Sequence, residues 1–393
     1  MAFDDFMKEA LAKIEAGGLM RRIKPLGQHD GIAVMDGKEL VNLASNDYLG
    51  LGQDSALRDE FMQHLKKSHE YFSSSGSPLL TGAHESWRQA VKAIEDLFPG
   101  CSALPFNSGY DANSGVIRAL AAIPGTLVIA DKLSHASIID GMTAGGSSRI
   151  MRFAHNDAES LERIIERHGA QYDRILVATE SVFSMDGDVA PLKEIAQIKK
   201  SNPKISVYVD EAHGFTVFGP EGRGMLWEMG LGGMADFVLC TCGKGLGSEG
   251  AFLLCSETAR RYFINTARPL IFSTAIAPVS LAHTAFMISK ARAADDRRAR
   301  LARISSDVHA TLRECGLEDL SSTQIVPYIL GENEKAVEAA GIFRENGFLA
   351  MPVRHPAVPK GTARLRLSLS ASLKDSDVER LCSLIRSLSG RAA

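Results

Sequence analysis

A chain of 393 residues, 45% hydrophobic and 23% charged, has room for two domains or one large domain with an appendage, and has the composition of an ordinary soluble globular protein. Its formal net charge of −3 gives no electrostatic drive toward nucleic acid or an acidic membrane. Six cysteines are scattered, and the nearest pair, Cys240 and Cys242, has no matching pair or histidine cluster, which argues against zinc and for a reduced, cytoplasmic setting.

The first residues carry acids and lack a long apolar core, so no signal peptide is expected, and no apolar run reaches spanning length. Residues 5–16 have helical spacing, with Phe6, Leu11 and Ile14 on one face and Gly17-Gly18 as the stop. Short strands are predicted near 32–35 and 40–43. The turn-rich "YFSSSGSPLLTG" precedes an amphipathic helix, "HESWRQAVKAIEDLF". From there to about residue 255, the apolar runs "SALPF", "TLVIA", "RILVATE", "ISVYVD" and "DFVLCT" alternate with helix-like stretches. That rhythm predicts βαβ units around a mostly parallel, buried sheet, an α/β fold. A long helical stretch over 278–315 then leads into an α+β tail ending in "ARLRLSLS" and a final helix. The expected division is an N-terminal helix and strand segment, 1–50, a large α/β domain, 51–280, and a small C-terminal α+β domain, 281–393.

In open α/β sheets ligands bind outside the carboxyl ends of the strands. Four predicted strands end in polar clusters: Asn107-Ser108-Gly109, Ser181 to Ser184, Asp210 to His213, and Thr241 to Lys244. A lysine between glycines in such a turn touches phosphate, forms a Schiff base or points into solvent. The phosphate loop G-x-x-x-x-G-K-[ST] fails here, because Gly245 follows Lys244 and Val238 stands at the first glycine position; the dinucleotide fingerprint is also missing.

Pyridoxal phosphate (PLP) fits these ends better. It needs a lysine to hold its aldehyde, an acid beside its ring nitrogen and donors for its phosphate. Lys244 is the candidate lysine, and Asp210, at a strand end, the candidate acid. His213 is placed to donate to the phenolic oxygen. Ser108 and Gly109 open a helix, where free N–H groups and the helix dipole favour phosphate. Each residue alone has an ordinary alternative, such as a cap, a turn or a core histidine; the co-location of four clusters carries the reading.

Together, "TCGKGLG", "DEAHGFTVFGPEGRG", "LSHASIIDG", "ESVFSMDGDVAPL" and "SNDYLGL" resemble the α-oxoamine synthase family of fold-type-I PLP enzymes, from "LMRRIKP" to "GTARLRLSLSA". "RFAHND", "FSMDGDVAPL" and "GTARLRLSLSA" resemble the branch that joins L-alanine to a pimeloyl thioester, carried by coenzyme A or acyl carrier protein, in biotin synthesis. The glycine C-acetyltransferase, 5-aminolevulinate synthase and serine palmitoyltransferase branches are less similar, and a non-catalytic partner subunit would lack Lys244.

The resemblance implies a transferase with these roles. Lys244, His135, Asp210 and His213 are the catalytic set, with the His135 ring stacked on the cofactor. Ser108, Gly109, Tyr110 and Thr241 fall at phosphate positions, and Ser184 joins His213 near the phenolic oxygen. Ser273 and Thr274 match a pair that reaches the phosphate of a neighbouring subunit, which implies a homodimer. Arg21, Asn46, His135, Thr362 and Arg366 line the substrate side, and Arg366 matches the arginine that grips the amino acid carboxylate with two hydrogen bonds. Arg364 reads as a solvated strand arginine. Four departures stand out: Pro78 in "SSSGSP", Phe215-Thr216, Cys242 and Glu249. Of these, Phe215 and Glu249 are expected to bear on the acyl channel.

Overall fold

The computed structural model describes residues 3–17, 19–21, 23–146 and 149–390. The chain opens with a helix, Phe3–Ala16, and three strands, β1 (Gly27–His29), β2 (Ile32–Met35) and β3 (Lys38–Asn42). The central strands are β4 (Ser102–Phe106), β5 (Thr126–Asp131), β6 (Arg149–Phe153), β7 (Arg174–Glu180), β8 (Ile205–Asp210), β9 (Phe237–Thr241) and β10 (Ala251–Cys255). The last four are β11 (Ile325–Gly331), β12 (Phe348–Leu349), β13 (Met351–Val353) and β14 (Ala363–Ser368).

The seven central strands form one sheet in the order β4-β10-β9-β8-β7-β5-β6. Only β10 runs against its neighbours, β4 and β9, and those two antiparallel pairings leave β4 aligned with β9, β8, β7 and β5. All five therefore end at one edge. Every residue of β5 is buried, as a strand covered by helices on both faces must be. Apolar clusters fill both faces of the sheet. The α/β class with a mostly parallel sheet is thus present, as the sequence predicts.

Two strands of the central sheet escape the sequence reading. "RIMRF" (β6) is an edge strand with an exposed arginine at its start, and "AFLLC" (β10) follows the lysine turn so closely that it reads as part of it. The helical stretch over 278–315 is two helices, Pro278–Arg292 and Asp295–Glu314, broken at Ala293-Ala294. β3 pairs in parallel with β12, so the N-terminal strands share a sheet with the chain beyond residue 347. β11, β14 and β13 form the remaining sheet.

Candidate active site

Three backbone features shape the lysine turn. After β9, the Ser248 N–H donates to the Cys242 carbonyl (2.9 Å) and the Gly247 N–H to the Lys244 carbonyl (2.8 Å). Gly247 has φ +67, and a Cβ there would lie 2.4 Å from the Gly52 nitrogen, so only glycine fits. The resulting turn carries the Lys244 amine over the ends of β7 and β8.

There Lys244 Nζ lies 3.0 Å from His213 Nε2. Burial pushes the amine below the ordinary lysine range, opposed by the carboxylates of Asp210 and Glu180. The His213 ring is buried, and burial, helped by Lys244 and Arg366, holds it well below the usual histidine range, so it is neutral. Its other nitrogen, Nδ1, is 2.6 Å from the Tyr48 hydroxyl, and its carbonyl accepts from Gln324 Nε2 (2.9 Å).

Asp210 ends β8 and is 5% exposed. Its Oδ2 accepts from Asn113 Nδ2 (2.7 Å) and its Oδ1 from the Ala212 N–H (2.9 Å). Asn113 is fixed from the other side by the Tyr208 hydroxyl (2.7 Å), and its amide also donates to Ser137 Oγ (2.9 Å). Ser137 Oγ lies 2.7 Å from His135 Nδ1, which also takes the Ser137 N–H (3.3 Å), so the His135 proton sits on Nε2. Burial holds His135 below the usual range too. The His135 N–H donates to Glu180 Oε1 (2.7 Å). Glu180, buried at the end of β7, is pushed up to about 8 by burial and by Asp210.

At the opposite corner, Ser108 caps the helix Gly109–Ala121, accepting from the Asp111 N–H (3.0 Å). A Cβ at Gly109 would sit 2.8 Å from Thr241 Oγ1, which brings the helix start against the end of β9. Asn107 Nδ2 donates to Ser273 Oγ (3.2 Å) and the Thr274 carbonyl (2.9 Å) of the same chain, so this pair adjoins its own Ser108–Gly109 corner. Tyr110 is exposed, and its hydroxyl donates to Asp140.

Arg366 comes from β14. Its Nε donates to the Ser184 carbonyl, Nη1 to Asn46 Oδ1 (3.1 Å) and Ser368 Oγ, and Nη2 to the Tyr48 hydroxyl (3.3 Å). Four of its five N–H groups are engaged, so the two-pronged grip expected from the sequence meets only one free donor. Arg364 departs from expectation as well: it is 3% exposed and paired with Asp186, because this strand is covered on the face it occupies. Thr362 Oγ1 donates to the Pro359 carbonyl (2.8 Å), closing the turn before β14, and its own carbonyl accepts from Arg364 Nε (3.0 Å). Arg21 is exposed ahead of β1 and is not among the residues these hydrogen bonds gather.

Phe215 does not line a channel. It is buried in the main core with its ring centroid 6.2 Å from that of Phe98, since the loop after β8 turns inward there. Glu249 is exposed beside a cavity of about 370 Å³ shared with Phe61, Ser248 and His283. Pro78 starts a short π-helical turn, Pro78–Gly82, and Cys242 is buried. Single-residue reasoning missed Tyr48, Asn113, Ser137, Glu180 and Glu211, although all but Asn113 stand inside motifs that carry the resemblance. Glu211 has a structural task. Its carboxyl takes Ser181 Oγ (2.6 Å) and the N–H groups of Met225 (3.0 Å) and Leu226 (2.8 Å), and a Cβ at Gly214 or Gly224 would collide with it. That explains Gly214 of "DEAHG" and Gly224 of "GRG".

Comparison with known proteins agrees with this geometry. Residues 38–385 match the family Aminotransferase class I and II. The 8-amino-7-oxononanoate synthase of Haemophilus ducreyi is 40% identical over 384 residues, 96% of this chain and 98% of the relative. Among solved structures, serine palmitoyltransferase from S. paucimobilis with bound PLP–myriocin aldimine superposes with a TM-score of 0.88 at 31% identity, covering 99% of this chain and 98% of that one. An 8-amino-7-oxononanoate synthase from Francisella tularensis, at 24% identity and a TM-score of 0.74 over 90% of this chain and 98% of that one, shares the fold. The chain therefore belongs to the class I and II aminotransferase family and, within it, to the α-oxoamine synthases, acyl-transferring enzymes of fold type I that work with pyridoxal phosphate.

Proposed function

We propose that this α-oxoamine synthase joins L-alanine to a pimeloyl thioester, of coenzyme A or acyl carrier protein, to give 8-amino-7-oxononanoate for biotin synthesis. The observation that carries the reading is the pairing of Lys244 Nζ with His213 Nε2 at 3.0 Å, with Arg366 reaching the same histidine's partner, Tyr48. It joins a basic amine to an anion-binding arginine, as a reaction at the α-carbon of an amino acid requires. The 40% identity with the Haemophilus ducreyi enzyme supports the choice of branch.

The residues fit PLP. A lysine amine held below its usual range is free to bond an aldehyde. The first N–H groups of the helix Gly109–Ala121, with the hydroxyls of Ser108 and Thr241, suit a phosphate. Ser273 and Tyr110 stand near that corner. Asp210, doubly hydrogen-bonded and buried, suits a protonated ring nitrogen, with His213 and Ser184 on the phenolic side. When bound, PLP supplies the electron sink that stabilises negative charge at the substrate α-carbon.

Arg366 and Asn46 receive the alanine carboxylate. Lys244 takes the α-proton as general base, at an amine that burial holds below the ordinary lysine range. Holding amino acid and thioester in one pocket removes the entropy of a two-body encounter. The net change forms a bond between the α-carbon and the acyl carbonyl carbon, breaks the carbon–sulfur bond with a proton taken up by the departing thiolate, releases the carboxyl group as carbon dioxide and returns a proton to the α-carbon.

A second copy of the chain belongs to this reading. Segments 71–82 and 272–279 are tied together by the bonds of Ser74 Oγ to the Ala275 carbonyl (2.8 Å) and of the Val279 N–H to the Tyr71 carbonyl (3.0 Å). They leave Tyr71, Phe72, Leu79, Leu80 and Phe272 exposed beside Ser273 and Thr274, an apolar surface suited to a partner subunit. The test of the activity is thiol and carbon dioxide release from purified protein with PLP, alanine or glycine, and pimeloyl, acetyl or palmitoyl thioesters. Fastest release with pimeloyl and alanine supports the reading, and fastest release with another pair overturns it.

A further inference from the structure

The Tyr48 hydroxyl is fully buried among polar groups: His213 Nδ1 at 2.6 Å, Asn46 Oδ1 at 3.0 Å and Arg366 Nη2 at 3.3 Å, with the Gln324 side chain also bearing on it. A phenol has one hydrogen to give. Arg366 can only donate, so it occupies the oxygen's acceptor side. Asn46 Oδ1 receives Arg366 Nη1–H (3.1 Å) and has a second lone pair within reach of the phenol (3.0 Å), and giving the hydrogen to it would oblige the histidine to donate through Nδ1. The remaining choice is whether the phenol donates to the histidine or accepts from it. A separation of 2.6 Å is shorter than the usual N–H···O range and within the range of O–H donors. The phenol therefore gives its hydrogen to Nδ1, and the histidine's single proton must lie on Nε2, facing Lys244.

We infer that Tyr48, backed by Arg366, is a positioning residue that fixes the His213 tautomer with its proton on Nε2, and so presents an N–H to the lone pair of Lys244. An ammonium at Lys244 would meet that N–H donor to donor. The free amine accepts it instead. The arrangement ties the amino acid carboxylate site, through Arg366 and Tyr48, to the state of the base. It also makes His213 a donor toward the phenolic side of the cofactor site.

Other groups face the same atoms. Lys244 is faced by Asp210 from β8 and Glu180 from β7, which favour its charged form, and by Arg366 from β14, which opposes it. His213 is faced by Lys244, Arg366 and His135, all of which disfavour its charged form. Of these only Lys244 touches a ring nitrogen, Nε2 (3.0 Å), and since its amine can donate to a bare nitrogen or accept from a protonated one, none of them by itself selects one ring nitrogen over the other. Tyr48 does, because among the described residues it alone hydrogen-bonds Nδ1, through a hydrogen that can be given only once.

The inference deepens the reading of Lys244 and His213 above, but it concerns the full-length chain without cofactor or thioester, so it can fail while the proposed reaction stands, and the reverse. Lys244 is labelled with formaldehyde and borohydride across pH and read by peptide mass spectrometry, with exposed Lys92 as internal control. The expected result is a Lys244 midpoint below that of Lys92. In Tyr48→Phe it should rise by a unit or more, which is about tenfold slower labelling at any fixed pH below both midpoints. Lys92 should not move. An unchanged Lys244 profile in folded Tyr48→Phe overturns the inference. The unsubstituted chain, labelled with ¹⁵N-histidine, gives an independent reading that does not depend on the variant folding. The His213 signal, assigned by its loss in His213→Gln, should show a protonated Nε2 and a bare Nδ1. The opposite tautomer overturns it.

Discussion

Glu180 and Asp210 stand directly opposite each other on the neighbouring parallel strands β7 and β8, and both are buried. In a parallel pair, residues in register project from the same face, so the two acids share one small, dry region. Two carboxylates so placed do not both ionise readily. Burial first, and Asp210 second, push Glu180 up to about 8. Its oxygen meanwhile supports the His135 N–H (2.7 Å).

The sign follows from linkage. A carboxyl whose folded value lies above its unfolded value contributes stability that is complete below the unfolded value, near 4.5, and is lost as pH rises through about 8. Glu211, pushed up to about 7 by burial, adds a loss in the same direction. The cofactor-free chain should therefore lose stability between about pH 5 and pH 8. Glu180→Gln keeps an acceptor for His135 but has no proton to lose, so it should show a shallower loss across that window. Thermal melts at pH 5 and pH 8.5 give the answer, and an equal slope in the variant would remove Glu180 from this account.

Lys244→Ala should abolish turnover while leaving the melting temperature within a few degrees, since the turn is built from backbone bonds around Gly247. Borohydride treatment of the holoenzyme should fix the cofactor on the peptide containing Lys244; recovery on another lysine would overturn the assignment. Asp210→Ala leaves the Asn113 amide without its carboxylate partner and removes the charge proposed to face the ring nitrogen. Loss of a buried charged hydrogen bond costs about 2–5 kcal/mol. Proton exchange at the alanine α-carbon should slow accordingly, and an unchanged exchange rate would count against the role.

The parts of this site that were legible in the sequence are those with a distinctive local signature. Lys244 between glycines after an apolar run, and Asp210 at the end of "ISVYVD", are visible because strand ends and turns leave strong one-dimensional patterns. Tyr48 and Glu180 are not, because their importance comes from contacts across 165 and 45 residues of chain. A tyrosine in "SNDYLGL" reads as a core aromatic until His213 is beside it. Arg364 and Arg366, two residues apart, project from the same face of β14, and nothing in the local sequence marks that face as covered; the Asp186 side chain paired with Arg364 shows that it is. The edge strand β6 and the antiparallel β10 are hidden for the opposite reason: their local sequences are unremarkable, and their strand state comes from the neighbours that pair with them.

Arg366 carries a further expectation. With Ser184, Asn46, Ser368 and Tyr48 on four of its N–H groups, it is held rigidly, and a carboxylate finds one free donor plus the charge. Arg366→Lys retains the charge but cannot reproduce the planar fork. Hydrogen bonds to charged groups are worth about 1.5–3 kcal/mol, so KM for the amino acid should rise roughly 10- to 150-fold. KM for the thioester should change little. Equal changes in both would mean that Arg366 holds the fold rather than the amino acid.

Acyl choice should be sharper than amino acid choice. The role proposed for Arg366 concerns only a carboxylate, which alanine, glycine and serine share, and one methyl group in a pocket discriminates by about 10–200-fold. Glycine should therefore react weakly with the preferred thioester. Pimeloyl differs from acetyl by a long chain ending in a second carboxylate, and that carboxylate needs a cation some distance from Lys244. Phe215 is out of reach in the core, and Glu249 carries the wrong sign. Arg21, exposed on the segment between the first helix and β1, is the cation proposed for the task. Pimeloyl thioester with alanine should give far more thiol release than acetyl thioester with glycine, and Arg21→Ala should narrow that gap by raising KM for pimeloyl alone. If Arg21→Ala leaves the pimeloyl KM unchanged, the far carboxylate is held elsewhere. If acetyl thioester with glycine is the faster pair in the unsubstituted enzyme, the protein belongs to the glycine C-acetyltransferase branch, with cofactor site and fold as described.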